Sequence, residues 1–368
     1  MPAESPQMDE EYMRRALGLA AKGLGRTAPN PAVGAVVVSG GEVVGEGWHR
    51  RAGEAHAEVV ALEAAGEKAR GGTIYVTLEP CSHFGRTPPC TDAIVAAGLR
   101  RVVYACGDCD DRCAGRADAI LTQAGLEVTP RVLEQEAVAL NEAYIKHKRS
   151  GLPFVTLKMA CSLDGKTVSV SAEERWVTGE AAREHVHRLR DRNDAVLVGI
   201  GTVLADDPQL TTRLPGGCGR DPLRVVADSA ARTPPEAKVI GEAEAAPCLI
   251  AVSRRAPEAR VAALREAGAE VVALGDCRVD LQALMATLGS RGVMGLLLEG
   301  GGSLAAAALQ AGIVDKIVFF YAPRLFGGRA TPTAVDGDCL PQPPVVDIRH
   351  IERVGQDLMV EGYLCSRD

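Results

Sequence analysis

Four residues in the first quarter of the chain have the types and spacing to activate water: His56 and Glu58 in HAEVVALEAAG, and Cys81 and Cys90 in LEPCSHFGRTPPC. One imidazole and two thiolates make three ligands, and three protein ligands leave a tetrahedral Zn²⁺ a fourth place for water, the arrangement of a catalytic site. Glu58 is then the carboxylate beside that water, able to take its proton and pass it to a leaving amine. That chemistry is hydrolytic deamination. Residues two apart on a continuous helix turn to nearly opposite sides, so His56 and Glu58 converge only if His56 lies in the first turn. Cys81 directly follows a strand, and Cys90 opens a helix behind Pro88 and Pro89, which suit a helix entrance. Free N–H groups and the helix dipole there favour a thiolate. The alternatives are a closed zinc knot with His83 as fourth ligand and, for Glu58, a solvated place on the helix.

The elements that must position these residues alternate. EYMRRALGLAAKGLG has helical spacing with a glycine stop, AVGAVVVSGGEVVGEGWH reads as two strands joined by a Gly-Gly turn, and AHAEVVALEAAGEKAR is a helix. TIYVTLEP is a strand, TDAIVAAG a helix and RRVVYAC a strand, the pattern of a layered α/β sheet. This unit closes where LNEAYIKHKRSGLP runs into Gly151 and Pro153, so the expected domains are 1–150 and 151–368. The second series, FVTLKMACSLDGKTV, AVLVGIGTVLADDP, LRVVADS, PCLIAVS, AEVVALG and MGLLLEGGGSLAAAALQAG, is again α/β. IRHIERVGQDLMVEGYL reads as two strands around a GQD turn, so its sheet is expected to be mixed.

At 368 residues the chain exceeds what one hydrophobic core usually serves. Its 46% hydrophobic and 24% charged residues are those of a globular protein. A net charge of −7 provides no basic field for a polyanion, so nucleic acid is not an expected partner. The acidic MPAESPQMDEEYMRR lacks the order of a signal peptide, and no apolar run approaches the roughly 18 residues of a spanning helix. A cytoplasmic protein with no membrane partner is expected. Of eleven cysteines, Cys161, Cys218, Cys248, Cys277, Cys339 and Cys365 are expected as small buried hydrophobes. Cys106, Cys109 and Cys113 in CGDCDDRC leave open a second metal, although no fourth ligand is evident.

HAE and PC match the H-x-E and P-C signature of zinc nucleobase deaminases, but eight residues rather than two separate Cys81 from Cys90. With this long spacing, PNPAVGAVVV, GEGWHRRAGEAHAEV, VTLEPCSHFGRTPPC and AGR at 114–116 closely resemble the deaminase half of the bifunctional riboflavin-biosynthesis deaminase–reductases. KMACSLDGKT, TVLADDPQLTTR, DS at 228–229 and EGGGSL resemble the reductase half, so the likeness spans the chain. It implies a cytidine-deaminase-like three-layer amino-terminal domain and a dihydrofolate-reductase-like mixed-sheet carboxy-terminal domain. The implied cofactors are one Zn²⁺ and NADPH, the implied substrates pyrimidine ribose phosphates, and the implied assembly a dimer or tetramer. The metal ligands are His56, Cys81 and Cys90, with Glu58 catalytic. Asn30, held between Pro29 and Pro31, is a turn residue taken alone and a substrate contact by resemblance; His49 and Arg86 are further substrate candidates. Asp110 departs from the family, which typically carries Asn there, and this puts recognition by its loop in question.

In the second half no GxGxxG follows a strand, so a Rossmann fingerprint is absent. LLLEGGGSLAAAALQAG still puts three glycines between a strand and a helix beginning near Ser303, either a pyrophosphate cradle or a tight turn. VGIGTVLADDPQLTTR reads as a strand with a glycine exit, and its DDP could simply make a turn. Carried over by resemblance, Ala160, Trp176, Thr202, Asp206, Ser229, Gly301, Gly302 and Ser303 contact NADPH, and Arg190, Leu210, Arg213 and Glu299 contact substrate. Two arginines suit a sugar phosphate. Glu174 stands where the family commonly has Ser, so that contact is not carried over. Lys158 is the candidate to assist ribose-ring opening or polarise the imine that receives hydride; otherwise it is an exposed strand lysine, and Trp176 a core residue. The rival readings are a nucleic-acid-editing deaminase with an accessory domain and a regulatory binding protein that has lost activity.

Overall fold

The computed structural model describes residues 5–84, 88–110, 115–167, 176–217, 219–241, 247–337 and 340–365. Arg86, Cys113, Glu174, Cys218 and Cys339 lie outside the described residues. The chain divides into two compact units, Met1–Gly151 and Leu152–Asp368.

The first unit runs α1 (Pro6–Ala20), β1 (Gly34–Ser39), β2 (Glu42–Trp48), α2 (Ala57–Ala65), β3 (Thr73–Leu78), α3 (Cys90–Ala96), β4 (Arg101–Cys106), α4 (Arg116–Gln123), β5 (Glu127–Thr129), α5 (Glu134–Leu140) and α6 (Glu142–Ser150). Its sheet order is β2-β1-β3-β4-β5. The β1–β2 turn uses Gly40 and Gly41, with φ of 62° and 83°, left-handed values that glycine adopts without Cβ strain and that match the strand twist.

Strand alternation puts helices on both faces. A Cβ on Gly34 would lie 2.1 Å from Ala16 O in α1, whereas one on Gly47 would lie 2.5 Å from Ala57 O in α2. Gly47 pairs with Ala35, the neighbour of Gly34, so the two glycines face opposite sides. The layers are therefore α1, sheet and α2, around a core that includes Val36, Val37, Ile74, Val76 and Val103. Asp9 on α1 accepts two hydrogen bonds from buried Arg101 at 2.8 Å each and one from Tyr75 Oη at 2.8 Å, fastening helix to sheet. Gly47 admits the helix that carries His56 and Glu58, so Gly47→Ala should cost about 1–3 kcal/mol by overpacking. Chemical denaturation should read this as a lower midpoint.

The second unit runs β6 (Phe154–Ser162), α7 (Glu180–Arg192), β7 (Ala195–Gly199), α8 (Ile200–Asp206), β8 (Leu223–Ala227), α9 (Lys238–Gly241), β9 (Cys248–Val252), α10 (Glu258–Glu266), β10 (Glu270–Ala273), α11 (Leu281–Ser290), β11 (Gly295–Leu298), α12 (Gly302–Gln310), β12 (Lys316–Ala322), β13 (Val346–Val354) and β14 (Asp357–Leu364). The order is β10-β9-β8-β7-β11-β6-β12-β14-β13. Parallel pairing runs from β10 to β12, and the last two pairings are antiparallel, so the sheet is mixed. Along β6, Val155, Leu157, Met159 and Cys161 join the core under α11 and α12. The alternate positions, Lys158 and Ala160, face the side covered by α7.

Candidate active sites

α2 opens at His56, whose extended backbone (φ −71°, ψ 158°) places it as the N-cap, with Glu58 in the first turn. Cys81 follows β3 through Glu79 and Pro80, and Cys90 is the first residue of α3 behind Pro89 at the N-cap. Helix start and strand end thus meet: His56 Nδ1 lies 3.2 Å from Cys90 Sγ and 3.5 Å from Cys81 Sγ. Cys90 N–H donates to Cys81 Sγ at 3.3 Å. Zinc bonds of about 2.05 Å to nitrogen and 2.3 Å to sulfur, at the tetrahedral angle, separate the two donors by about 3.6 Å. The donor set fits zinc. Among the described residues the group comprises His56, Cys81 and Cys90 alone; His83 lines the adjoining cavity without joining it.

The hydrogen bond between the cysteines pulls the Cys81 thiol down to about 4, with the His56 imidazole adding to the pull. The same bond and burial hold the Cys90 proton in place. His56 is raised in turn, chiefly by its hydrogen bond to Cys81. A dication on these donors favours both thiolates. Glu58 is 4% exposed; burial first, then the charge of Cys81, pushes its carboxyl up to about 7 against the pull of His56. A dication next to it draws the carboxyl down again. A carboxyl poised between these influences can accept and return a proton near neutral pH.

His56, Cys81 and Glu58 open onto a cavity of about 660 Å³, with Cys90 buried behind them. Asn30 Nδ2 lies 3.0 Å from His49 Nε2, and His49 Nδ1 lies 3.1 Å from Ala55 O. Since Ala55 O can only accept, Nδ1 carries the proton and Nε2 accepts from the Asn30 amide, leaving the Asn30 oxygen for a ligand. Burial lowers His49 and keeps it neutral. Glu79, which sequence reasoning missed, is buried and accepts from Asp108 N at 3.2 Å, Gly115 N at 3.0 Å and Ala117 N at 3.1 Å. It ties the chain after β4 and the start of α4 to the residue two before Cys81. Its only sequence signal was adjacency to the PC motif.

In the second unit, Arg190 of α7 grips Glu299, which follows β11, at 2.5 and 2.9 Å and donates to Thr211 O at 3.0 Å. Lys158 shares this environment: burial lowers its ammonium, Glu299 opposes that, and Arg190 adds to it. Lys158 is half-buried on β6, which removes the exposed-lysine alternative. Leu210 is buried with φ of 57°, a left-handed conformation that strains a leucine. Arg213 N–H donates to His187 Nδ1 at 3.2 Å, so the chain over 210–213 lies against α7. The glycine cradle is real but mixed in purpose. A Cβ on Gly302 would lie 2.2 Å from Thr333 O, so its bareness serves packing, while one on Gly301 would meet nothing nearer than Thr202 Oγ1 at 3.9 Å. Gly301 is the N-cap of α12, whose first turn presents the N–H groups of Gly302 and Ser303. With the Thr202 hydroxyl, this donor set fits a pyrophosphate.

Several expectations need correction. Thr202 and Asp206 lie on helix α8, because the strand ends at Gly199. Trp176 is 56% exposed, with the Arg183 guanidinium 5.4 Å over its ring, so it is not a core residue. Ser229 is not among these: its hydroxyl accepts from Val279 N at 3.0 Å and keeps its own hydrogen to donate to a further partner. Cys161 and Cys248 are buried as expected, but Cys277 and Cys365 are exposed, lying in a surface loop and after the last strand. Cys106 is a buried thiol near Thr77 O at 3.5 Å and joins no metal group among the described residues.

Comparison with known proteins covers both halves. The cytidine and deoxycytidylate deaminase zinc-binding region matches residues 6–106, and the RibD C-terminal domain matches 153–360. The riboflavin biosynthesis protein RibD of Escherichia coli is 43% identical over 367 residues, spanning 95% of this chain and 98% of its own length. The solved structure of Acinetobacter baumannii RibD is 36% identical with a TM-score of 0.85, covering 98% of this chain and 100% of that one. A Thermotoga maritima structure described as a diaminohydroxyphosphoribosylaminopyrimidine deaminase/5-amino-6-(5-phosphoribosylamino)uracil reductase is 37% identical with a TM-score of 0.85, covering 98% and 99%. A likeness that runs without a break through a zinc-binding deaminase region and a reductase domain sets aside an editing deaminase with an unrelated accessory domain. The chain belongs to the RibD family of bifunctional riboflavin-biosynthesis enzymes.

Proposed function

We propose that residues 1–150 hydrolyse the 2-amino group of 2,5-diamino-6-(5-phosphoribosylamino)pyrimidin-4-one, and that residues 151–368 then reduce the ribosyl chain of 5-amino-6-(5-phosphoribosylamino)uracil to ribityl. The observation that carries this reading is the buried Glu58 beside the His56, Cys81 and Cys90 donors. Zinc held by those donors supplies the Lewis acidity that makes water nucleophilic near neutral pH. Glu58 takes the proton of the attacking water and delivers it to the departing amine, while Asn30 offers its amide oxygen to the pyrimidine edge. Glu79 is a positioning residue. Glu79→Gln should raise KM for deamination about tenfold by loosening Asp108 while leaving zinc per chain unchanged; a fall in zinc content instead would make Glu79 part of the metal site.

Thr202, Gly301, Gly302 and Ser303 would hold NADPH, which would supply the hydride. Lys158 gives a proton to the ribose ring oxygen as the C1′–O bond breaks, and C1′ accepts the hydride. Glu299 holds Arg190 in place and its charge favours the Lys158 ammonium, and the arginines Arg190 and Arg213 suit the phosphate end. No helix among the described residues is long and apolar enough to cross a membrane. The reading places the enzyme in the cytoplasm as a homodimer or homotetramer, and light scattering measures the assembly. The deciding experiment incubates the purified chain with the diaminopyrimidine phosphate, with and without NADPH, and follows ammonia and pyrimidine products. Ammonia should appear in both, and ribityl product only with NADPH; ribityl product without ammonia, or neither, contradicts the reading.

A further inference from the structure

We propose that the ion pair of Lys148 and Asp110 sets the affinity of the amino-terminal cavity for the phosphate end of its substrate, with Lys148 as the phosphate contact and Asp110 as its built-in competitor. The proposal rests on the reading of this unit as a deaminase of a phosphorylated pyrimidine riboside.

The cavity is strongly acidic for a site that takes an anion. Glu54, Glu58, Glu79, Asp108 and Asp110 line it, and Lys148 is the only lysine or arginine among its described lining residues. The carboxylates differ in what occupies them. Glu79 is held by three backbone N–H groups, and Asp108 Oδ1 accepts from Tyr144 Oη at 3.2 Å and from Asp110 N at 2.9 Å. Asp110 Oδ2 instead takes the Lys148 ammonium at 3.1 Å, with side-chain exposures of 12% and 32%. The Lys148 ammonium also lies 5.8 Å over the Tyr144 ring, so α6 and the chain after β4 form one wall of the cavity.

The reacting amine must lie at Glu58, whose charged neighbours are Cys81, His56 and Cys90, whereas Lys148 pairs with Asp110. Among the described lining residues an anionic tail in the same cavity meets one lysine or arginine, and that one is already paired with a carboxylate. A phosphate reaching Lys148 must share it with Asp110, and the two anions then repel each other across the ammonium. Occupying the lysine therefore weakens binding of the phosphorylated substrate without touching the chemistry at the ring. Rim charges of this kind act on association and affinity rather than on the chemical step.

The test measures ammonia release from the diaminopyrimidine ribose phosphate and from its phosphate-free riboside, with the full chain and two variants. Asp110→Asn should lower KM for the phosphorylated substrate about tenfold, and Lys148→Met should raise it about tenfold, with kcat unchanged in both. Neither variant should alter KM for the phosphate-free riboside. Asp110→Asn is nearly isosteric, so tighter binding there cannot come from damage to the fold. Equal shifts on both substrates, a change confined to kcat, or no shift at all would overturn the proposal. Binding of ribose 5-phosphate to the same three proteins, by calorimetry, gives the affinity order without turnover: Asp110→Asn tightest, Lys148→Met weakest. Absence of ammonia from the unaltered chain would instead refute the deaminase reading, and the calorimetric order would still decide the role of the pair.

Discussion

Glu58→Gln is expected to lower ammonia release by about 10²–10⁴-fold, the usual range for a lost acid–base group, while zinc per chain stays the same. The glutamine amide keeps the size of the carboxyl, so α2 retains its packing against β2 and His56 keeps its place at the N-cap. What is lost is a group able to take a proton from water and return it to the amine. Because the carboxyl sits almost wholly out of solvent, no bulk buffer replaces it easily. Steady-state ammonia release with zinc analysis on the same preparation checks the expectation. Full turnover by a zinc-replete variant would remove Glu58 from the chemistry. NADPH oxidation on the deaminated substrate should be unaffected, which also shows that the fold is intact.

Lys158→Met should reduce NADPH oxidation on that deaminated substrate by about 10²-fold or more and leave ammonia release alone. Removing this lysine does not strand a buried charge, since Glu299 keeps both hydrogen bonds from Arg190. The loss therefore reports on the proton that Lys158 supplies. Its pH dependence has a definite sign. Burial first, and Arg190 after it, favour the neutral amine, whereas Glu299 favours the ammonium. As pH rises through this lowered pKa the ammonium is lost, so the reductase should decline along an alkaline limb below the ordinary lysine range. Glu299→Gln removes the main charge holding the ammonium, and the limb should move to lower pH. A limb that stays put in that variant would assign it to another group.

Much of this was legible from local order in the sequence. The Gly40–Gly41 turn between two apolar runs fixes the β1–β2 hairpin, and the GQD turn fixes the antiparallel β13–β14 pair, because turn chemistry and period-two alternation are local properties. His56, Cys81 and Cys90 were legible because thiolates after a strand and before a helix are rarely placed there for packing alone. What stayed hidden depends on convergence from afar. Nothing near Glu79 announces that N–H groups 29 to 38 residues later close on its carboxylate, and Lys148 reaches Asp110 across 38 residues through α6. Thr202 and Asp206 read as part of a strand and its exit because IGTVLA is apolar and β-branched, yet the chain turns helical once it passes the glycine at the end of β7. Cys277 was expected inside on residue type, and its exposure follows from the surface loop it occupies; Trp176, for which a core place was the alternative to a cofactor contact, is exposed as well.

The most direct test of the central claim is zinc-edge X-ray absorption on the zinc-loaded full chain and on its His83→Ala variant. An open three-donor site predicts two sulfur neighbours at about 2.3 Å and two lighter neighbours at about 2.0–2.2 Å, with the same spectrum in the variant. Loss of a nitrogen neighbour on replacing His83 would show a fourth protein ligand, and the account of Glu58 acting on water beside an open metal position would be contradicted.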